Sequence, residues 1–321
     1  MAAERPEDEA GPGDELDCEI HVPISPTPAF FNQIRLMAAS FRRFGGPLRN
    51  SRIVVTVGAE EQTDLAGRLP WSRDYGVEWR WLDPDLFARH NYWGTAVERF
   101  RQPFESQYVL FLDADVLAIS PPELTTSPVT ETGGIAGLIA HVAPFERPLQ
   151  GWTELTEAAG LGKPPFVTRH SGWGVMDYSL EGQHAPPYFN LGVLFCSSDA
   201  ARAFAARLYE EMEIVNSVRE TVFRCQIALT LAIIRLGIPW YELPLRLNFP
   251  NDLRFWRGYQ AEAARVQLMH YLREDEINRT IDFASENALR AAVARPVENP
   301  LTRLLQERIR MLLLETGGDD R

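Results

Sequence analysis

Tyr108-Val109-Leu110-Phe111-Leu112-Asp113-Ala114-Asp115 is the stretch on which the fold turns. Its five apolar residues have no polar face, which fits a strand covered on both sides, as in a parallel sheet between two layers of helix. Two carboxylates follow at a spacing of two, and extended backbone sets both on one side, where they can face one cation. Ligands of open α/β sheets bind beyond the carboxyl ends of the strands, so Asp113 and Asp115 suit a hard divalent metal carrying a phosphorylated ligand. The plainer alternative is a pair of acids that cap the next turn.

The flanking sequence extends the same pattern. Glu19 to Ile24 predicts a first strand, Ile34, Met37, Ala38, Phe41 and Phe44 recur at helical spacing, Gly45-Gly46-Pro47 stops that helix, and Ile53 to Val57 returns as a strand. Val77 to Leu82 predicts a third strand and Tyr92 to Phe104 a helix; Gly134 to Ile139 and Gly192 to Cys196 predict further strands. Helices are expected over Ala200 to Ser217 and Thr221 to Leu236, the second apolar nearly all round and therefore interior. Trp240 to Leu243 and Val266 to His270 read as late strands, and Pro300 to Leu314 as an amphipathic helix. Residues 120–189, rich in Pro and Gly, read mainly as loop through His170-Ser171-Gly172-Trp173-Gly174. The class is α/β with a mostly parallel central sheet flanked by helices. One domain is expected over 17–285, with a disordered acidic tail at 1–16 and a C-terminal helical extension at 286–321. In that extension Leu301, Leu304, Leu305, Met311, Leu312 and Leu314 need cover from the domain, a second copy in a homodimer, or peripheral contact with a membrane.

Composition narrows the function. The 321 residues carry a formal charge of −12, of which residues 1–19 supply −7, so the body is near neutral and no basic run invites nucleic acid. The start is acidic and no apolar run approaches the roughly 18 residues of a membrane span, so neither signal peptide nor transmembrane segment is expected and a cytoplasmic location is. Cys18, Cys196 and Cys225 are too few and too scattered for a disulfide framework or a structural zinc. Lys163 is the only lysine, and Gly160-Leu161-Gly162-Lys163-Pro164 lacks the spacing and the Ser/Thr of a phosphate-cradling P-loop.

Four more features bear on chemistry. His270 ends an apolar strand and offers a third ligand, although a strand-end histidine is also an ordinary half-buried residue; with two carboxylates, an imidazole tilts the choice toward Mn2+ over Mg2+. Asn190, in Tyr188-Phe189-Asn190-Leu191-Gly192, is either a hydrogen-bonding partner for a sugar hydroxyl or a turn-former that closes its own backbone, while Gly192 permits close approach. Gln226 has the same ambiguity. Arg99, Arg254, Arg257, Arg273 and Arg279 could clamp a diphosphate, and Trp173, Trp240, Phe255, Trp256 and Tyr259 could offer ring faces to a sugar or base; most of both sets read as surface charge and core.

Taken in order, the opening strand, a helix ending near Ser40-Phe41, the Tyr108 to Val116 segment, Tyr188 to Val193, Cys225-Gln226, Leu243-Pro244 with Asn248, and His270 resemble the successive motifs of a family. The chain resembles the retaining nucleotide-sugar glycosyltransferases of the GT-A fold, of the glycogenin and bacterial lipopolysaccharide galactosyltransferase type, over about residues 17–275. The resemblance implies a Rossmann-like domain that moves a sugar from a nucleotide-diphosphate sugar to a carbohydrate, lipid-linked or protein acceptor. It implies that Asp113, Asp115 and His270 hold Mn2+ or Mg2+ against the diphosphate, and that Pro23, Ile24, Ser25 and Thr27 border the nucleobase. It further implies that Arg99, Ala114 and Gly192 lie near the donor, and that Asn190 and Gln226 line the transferred sugar. The sequence departs from the family at Cys225, where an Asp is usual, and after His270, where Tyr271-Leu272-Arg273-Glu274 replaces an ending that carries a lysine. Arg273 or Arg279 would then take over that lysine's electrostatic role.

Two other readings compete. A haloacid-dehalogenase-like phosphatase also places Asp-x-Asp after a buried strand, but needs a lysine and later acids. A catalytically silent nucleotide-sugar or carbohydrate-binding protein on the same scaffold would have no need to keep the metal ligands.

Overall fold

The computed structural model of the chain describes residues 15–61, 65–83, 85–86, 94–140, 143–163, 167–168, 184–274 and 276–316. Its strands are β1 (Cys18–Ile24), β2 (Arg52–Val57), β3 (Val77–Trp81), β4 (Tyr108–Leu112), β5 (Val116–Ala118) and β6 (Ile135–Ile139). They continue with β7 (Val167–Thr168), β8 (His184–Ala185), β9 (Phe189–Ser197), β10 (Trp240–Glu242), β11 (Phe249–Pro250) and β12 (Leu268–His270). Seven of them form the central sheet in the order β10-β6-β9-β4-β1-β2-β3. Strands β3, β2, β1 and β4 are parallel, with Ile20 opposite both Ile53 and Leu110, while β9 runs antiparallel between β4 and β6.

Both faces of this sheet are covered, which is why β4 carries no polar residue. Tyr108, Leu110 and Leu112 enter one apolar cluster with the Pro28–Phe44 helix; Val109 and Phe111 enter another with the helices Ser198–Val218 and Arg224–Leu236. The helix after β1 starts where the sequence allows it to: Thr27 accepts the Phe30 N–H on its side chain at 3.3 Å and Pro28 occupies the first turn.

Parallel strands end on one edge, so the carboxyl ends of β1 and β4 open together. Leu112 pairs with Val193, which brings the start of β9 to the same edge. A second sheet, β11-β12-β5, then folds back: β12 runs antiparallel to β5 with His270 opposite Val116, next to Asp115.

Several expected boundaries shift for local reasons. The helix before β4 is described as Gly94–Glu98 and a 3-10 turn, Arg99–Arg101, and it stops there because Gln102 precedes Pro103 and is extended. The stretch read as loop contains a helix, Pro148–Ala158, that buries Trp152 against Phe145 and Tyr188. Glu15 and Leu16, expected in the tail, are held: Leu16 N–H donates to Pro47 O at 3.1 Å and the Glu15 carboxylate accepts from Asn50. The rest of that tail lies outside the described residues, as do Trp173 and the His170–Gly174 segment.

The helix Pro300–Thr316 packs on the sheet domain. Leu301, Leu305, Ile309, Leu312 and Leu313 of the helix Pro300–Thr316 belong to the same apolar cluster as β1 and the Pro28–Phe44 helix, and Leu314 alone of the expected set is largely exposed. The domain itself provides the cover for this face. Among the described residues no helix is long and apolar enough to cross a membrane. Leu305→Ala should therefore lower stability by about 2–5 kcal/mol, as for any fully buried leucine, measured as a reduced midpoint in urea with an unchanged slope.

Candidate functional site

Asp113, Ala114 and Asp115 form the turn between β4 and β5, closed by a Val116 N–H to Asp113 O hydrogen bond of 3.2 Å. The turn is pinned from both sides: Asp113 N–H donates to Gly192 O and Tyr271 N–H donates to Asp115 O, each at 3.0 Å. One ligand atom from each of Asp113, Asp115 and His270 lies within 4.8 Å of the other two. His270 Nε2 is 3.2 Å from Asp115 Oδ1 and 3.9 Å from Asp113 Oδ2. Asp115 and His270 are buried, whereas the Asp113 carboxylate is 38% exposed and faces outward.

The tautomer of His270 follows from a chain of hydrogen bonds. Gly192 N–H can only donate, so the Asn190 atom it meets at 2.9 Å is the oxygen. Asn248 therefore presents its Nδ2 to that oxygen, at 3.0 Å, and turns its own Oδ1 to His270 Nδ1, also at 3.0 Å. Nδ1 must carry the proton, which leaves Nε2 as the titrating atom, aimed at the two carboxylates. Nε2 is buried and makes no hydrogen bond among the described residues. An imidazole nitrogen set against two carboxylates, its other nitrogen held by an amide, is a donor set that could hold a divalent metal. Gly192 is needed for this packing, since a Cβ there would overlap the His270 ring and crowd Asn190 Oδ1.

Burial alone would lower the His270 pKa, but the Asp115 and Asp113 carboxylates outweigh it and raise it above the usual histidine value. Burial likewise opposes ionisation of Asp115, yet the charges of His270 and Arg279 prevail and hold it well below the usual carboxylate range. Arg279 Nη1 contacts Asp115 Oδ2 directly. Arg99 does something different. It is buried, and its guanidinium donates to Leu112 O at 2.7 Å, Leu191 O at 3.0 Å and Asp113 Oδ1 at 2.8 Å. Arg99 ties the ends of β4 and β9 together and fixes Asp113 from behind.

The cluster forms the floor of a cavity of about 520 Å³ whose wall is made by Pro23, Ile24, Ser25 and Thr27, with Ala114 and Arg279 also lining it. The sequence reading missed other lining residues, among them Phe30, Gln33, Leu272 and Glu274. Gln33 carried a signal, because it is a buried polar residue on the apolar stripe of the Pro28–Phe44 helix. Asn190 and Gly192 do not line the cavity; they act on it through Asn248 and His270. Gln226 stands in the first turn of the Arg224–Leu236 helix beside Cys225, whose thiol is pushed to about 12 by burial and is close enough to feel the charges of Arg99 and Asp113.

Of the remaining candidates, Arg273 and Arg254 are both spent on Asp252, with Arg273 Nε 2.7 Å from its carboxylate, and none of the three lines the cavity. Phe255 stacks on Tyr259 and Trp240 packs on Phe189.

No protein-family model matches the sequence, and no curated protein does. Solved structures do. The galactosyltransferase LgtC in complex with donor and acceptor sugar analogues aligns with 92% of this chain and 95% of its own, at 17% identity and a TM-score of 0.50. The fold is that of the GT-A glycosyltransferases. An active-site mutant of LgtC aligns over 90% of this chain and 95% of its own, at 16% identity and a TM-score of 0.50. Mouse xyloside xylosyltransferase 1 matches 80% of this chain and 98% of its own, at 15% identity and a TM-score of 0.48.

On this GT-A scaffold the site makes two expectations measurable. Asn248→Leu removes the acceptor for His270 Nδ1, and Mn2+ affinity by calorimetry should fall about 10-fold or more, with little change in melting temperature. The second is a pH dependence. The carboxylates raise the His270 pKa and a metal ligand must be free of its proton at Nε2, so metal affinity should rise with pH until the raised histidine pKa is passed and be level above it.

Proposed function

We propose that the protein is a metal-dependent glycosyltransferase that moves a sugar, with retention, from a nucleotide-diphosphate sugar to a carbohydrate, lipid-linked or protein acceptor. The observation that carries this reading is the Asp113, Asp115 and His270 cluster on the floor of a cavity walled by Pro23 to Thr27. Three carboxylates, those of Asp113, Asp115 and Glu274, line the cavity against one arginine, Arg279, so a bound cation would favour a diphosphate there. The donor set fits Mn2+, which when bound would neutralise charge developing on the departing diphosphate.

The chain's own residues supply the rest. Pro23, Ile24 and Phe30 give an apolar wall for a nucleobase, and Ser25 is a hydroxyl on the same wall. Arg99 and the Asn190–Asn248 relay keep Asp113 and His270 in place, so the site is organised before the donor arrives. The cavity's carboxylates are committed: Asp113 and Asp115 face the cluster centre, and Glu274 accepts from Arg279 Nε at 2.9 Å. With no spare base among the described lining residues, the leaving phosphate oxygen takes the acceptor's proton. The acceptor oxygen forms its bond to the anomeric carbon on the face from which the diphosphate departs. Gln226 holds the sugar with an amide dipole directed at the developing charge.

Lys163 does not line this cavity, which removes the lysine that a phosphatase of the rival type requires. The three cysteines are buried and unpaired, which supports a reducing, cytoplasmic setting.

A panel of nucleotide sugars with Mn2+ should reveal one that is slowly hydrolysed, and excess chelator should abolish the reaction. Turnover that persists in chelator would contradict the metal reading. Gln226→Ala should lower kcat about 100-fold with donor affinity nearly intact and the pH profile unchanged in shape. NMR of the product should show the donor's anomeric configuration, and an inverted centre would remove the retaining mechanism.

A further inference from the structure

The central sheet ends on β3, and among the described residues no strand pairs with its outer side. A strand residue sends its N–H and C=O to one side, and successive residues alternate. Leu82 N–H donates to Val57 O at 2.9 Å, so Leu82, and in step with it Arg80 and Glu78, are directed at β2. Val77, Trp79 and Trp81 therefore present their backbone groups outward. The side chains alternate as well. Val77, Trp79 and Trp81 pack on the cluster that includes the Pro28–Phe44 helix, with the Trp79 ring 5.8 Å from Phe31 and 6.1 Å from Trp71. Glu78 and Arg80 share the opposite face, and their side chains are 37% and 31% exposed. They end a row of alternating charge across three strands: Glu19 on β1, Arg52 on β2 at 3.2 Å from it, and Glu78 on β3 at 2.5 Å from Arg52, with Arg80 paired to Glu78 at the open edge.

We propose that β3 is the contact between two copies of this chain, joined about a two-fold axis at Trp79 in an antiparallel ladder that makes their central sheets continuous. The contact is independent of the metal-dependent reading above.

Backbone geometry and charge select the same register. Outward-facing residues must meet outward-facing residues, so Trp79 lies opposite Trp79 of the second copy or the strands are displaced by two residues. With Trp79 opposite Trp79 all three outward residues are matched, Val77 to Trp81 on either side, and each Glu78 stands opposite Arg80 of the second copy. Displacement by two residues sets Glu78 against Glu78 or Arg80 against Arg80 and leaves an outward residue unmatched. Opposite charges across a ladder stabilise it and like charges destabilise it, so one register is favoured over both neighbours. An edge guarded against pairing carries like charges, a proline or a bulge. Strand β3 instead carries one charge of each sign at a spacing that is its own complement, as a two-fold contact requires. The other end of the sheet, β10, has three residues and a single charge, Glu242, and lacks this pattern. A ladder of five residues is short, so the dimer is weak and reversible. Because the two β3 strands run in opposite directions, the carboxyl edges of the two sheets, and the cavities on them, face opposite ways.

Sedimentation velocity of the full chain over a concentration series should show a reversible monomer–dimer equilibrium. Glu78→Arg leaves two cations on β3 and Arg80→Glu leaves two anions, so each variant alone should dimerise about tenfold or more weakly than wild type. Mixed one to one, the two variants should form a mixed dimer within about threefold of wild-type affinity, because every edge charge again meets its opposite. A defect in folding would not be restored by mixing. A second readout needs no variant: as the wild-type concentration is raised through the transition, the amides of Val77, Trp79 and Trp81 should gain about tenfold or more protection from hydrogen exchange, while those of Glu78 and Arg80, already bonded to β2, stay unchanged. A wild-type chain that remains monomeric at every concentration, single variants that dimerise like wild type, folded variants that do not associate when mixed, or unchanged exchange at Trp79 would each overturn the contact.

Discussion

The site depends on a short antiparallel pairing, β5 against β12, that closes the carboxyl edge of the main sheet. β5 follows directly from the Asp113–Asp115 turn, and β12 ends at His270, so the register that sets His270 opposite Val116 also sets its imidazole against Asp115. Three residues on each side are little to hold a ligand in position. The surrounding contacts compensate: Ser40 Oγ accepts from Ala118 N–H at 3.0 Å, and Gln267 O accepts from Ile119 N–H at 2.8 Å. A shift of one residue would turn His270 to the opposite face of the small sheet and dissolve the cluster.

Behind that edge, charge is arranged so that each acid has a defined partner. Asp113 leans on buried Arg99 and is open toward the cavity, while Asp115 is enclosed and shared between His270 and Arg279. The two carboxylates of one D-x-D turn thus have different jobs, one anchored from behind and one enclosed. Their difference comes from burial, since the covalent chemistry is the same.

What was legible in the sequence was what is local. The apolar run of β4, the carboxylates after it and the βαβ start depend on residues within one or two turns of each other, and all appear where expected. His270 could not be assigned from its own neighbourhood, because its role comes from pairing with a strand as short as Val116–Ala118, which gives almost no periodic signal. Asn190 illustrates a false choice. Its oxygen does close a local turn onto Gly192 N–H, as the plainer reading had it, and the same oxygen orients Asn248 and through it the histidine. The bonds of Arg99 to Leu112 O and Leu191 O were not legible either, since they join strands far apart in the sequence. The helix Pro148–Ala158 was within reach: Trp152, Leu155, Thr156 and Ala159 recur at helical spacing, but Pro148 and Gly151 drew the reading toward loop.

The placement of the Pro300–Thr316 helix has a consequence for biogenesis. Its leucines complete the cluster that covers one face of β1, the first strand among the described residues. During synthesis that face cannot close until the segment through Leu313 has left the ribosome. The βαβ unit around β1 therefore waits, with apolar surface uncovered, for the intervening segments to follow it, and a nascent chain stalled short of the Pro300–Thr316 helix presents that surface to chaperones.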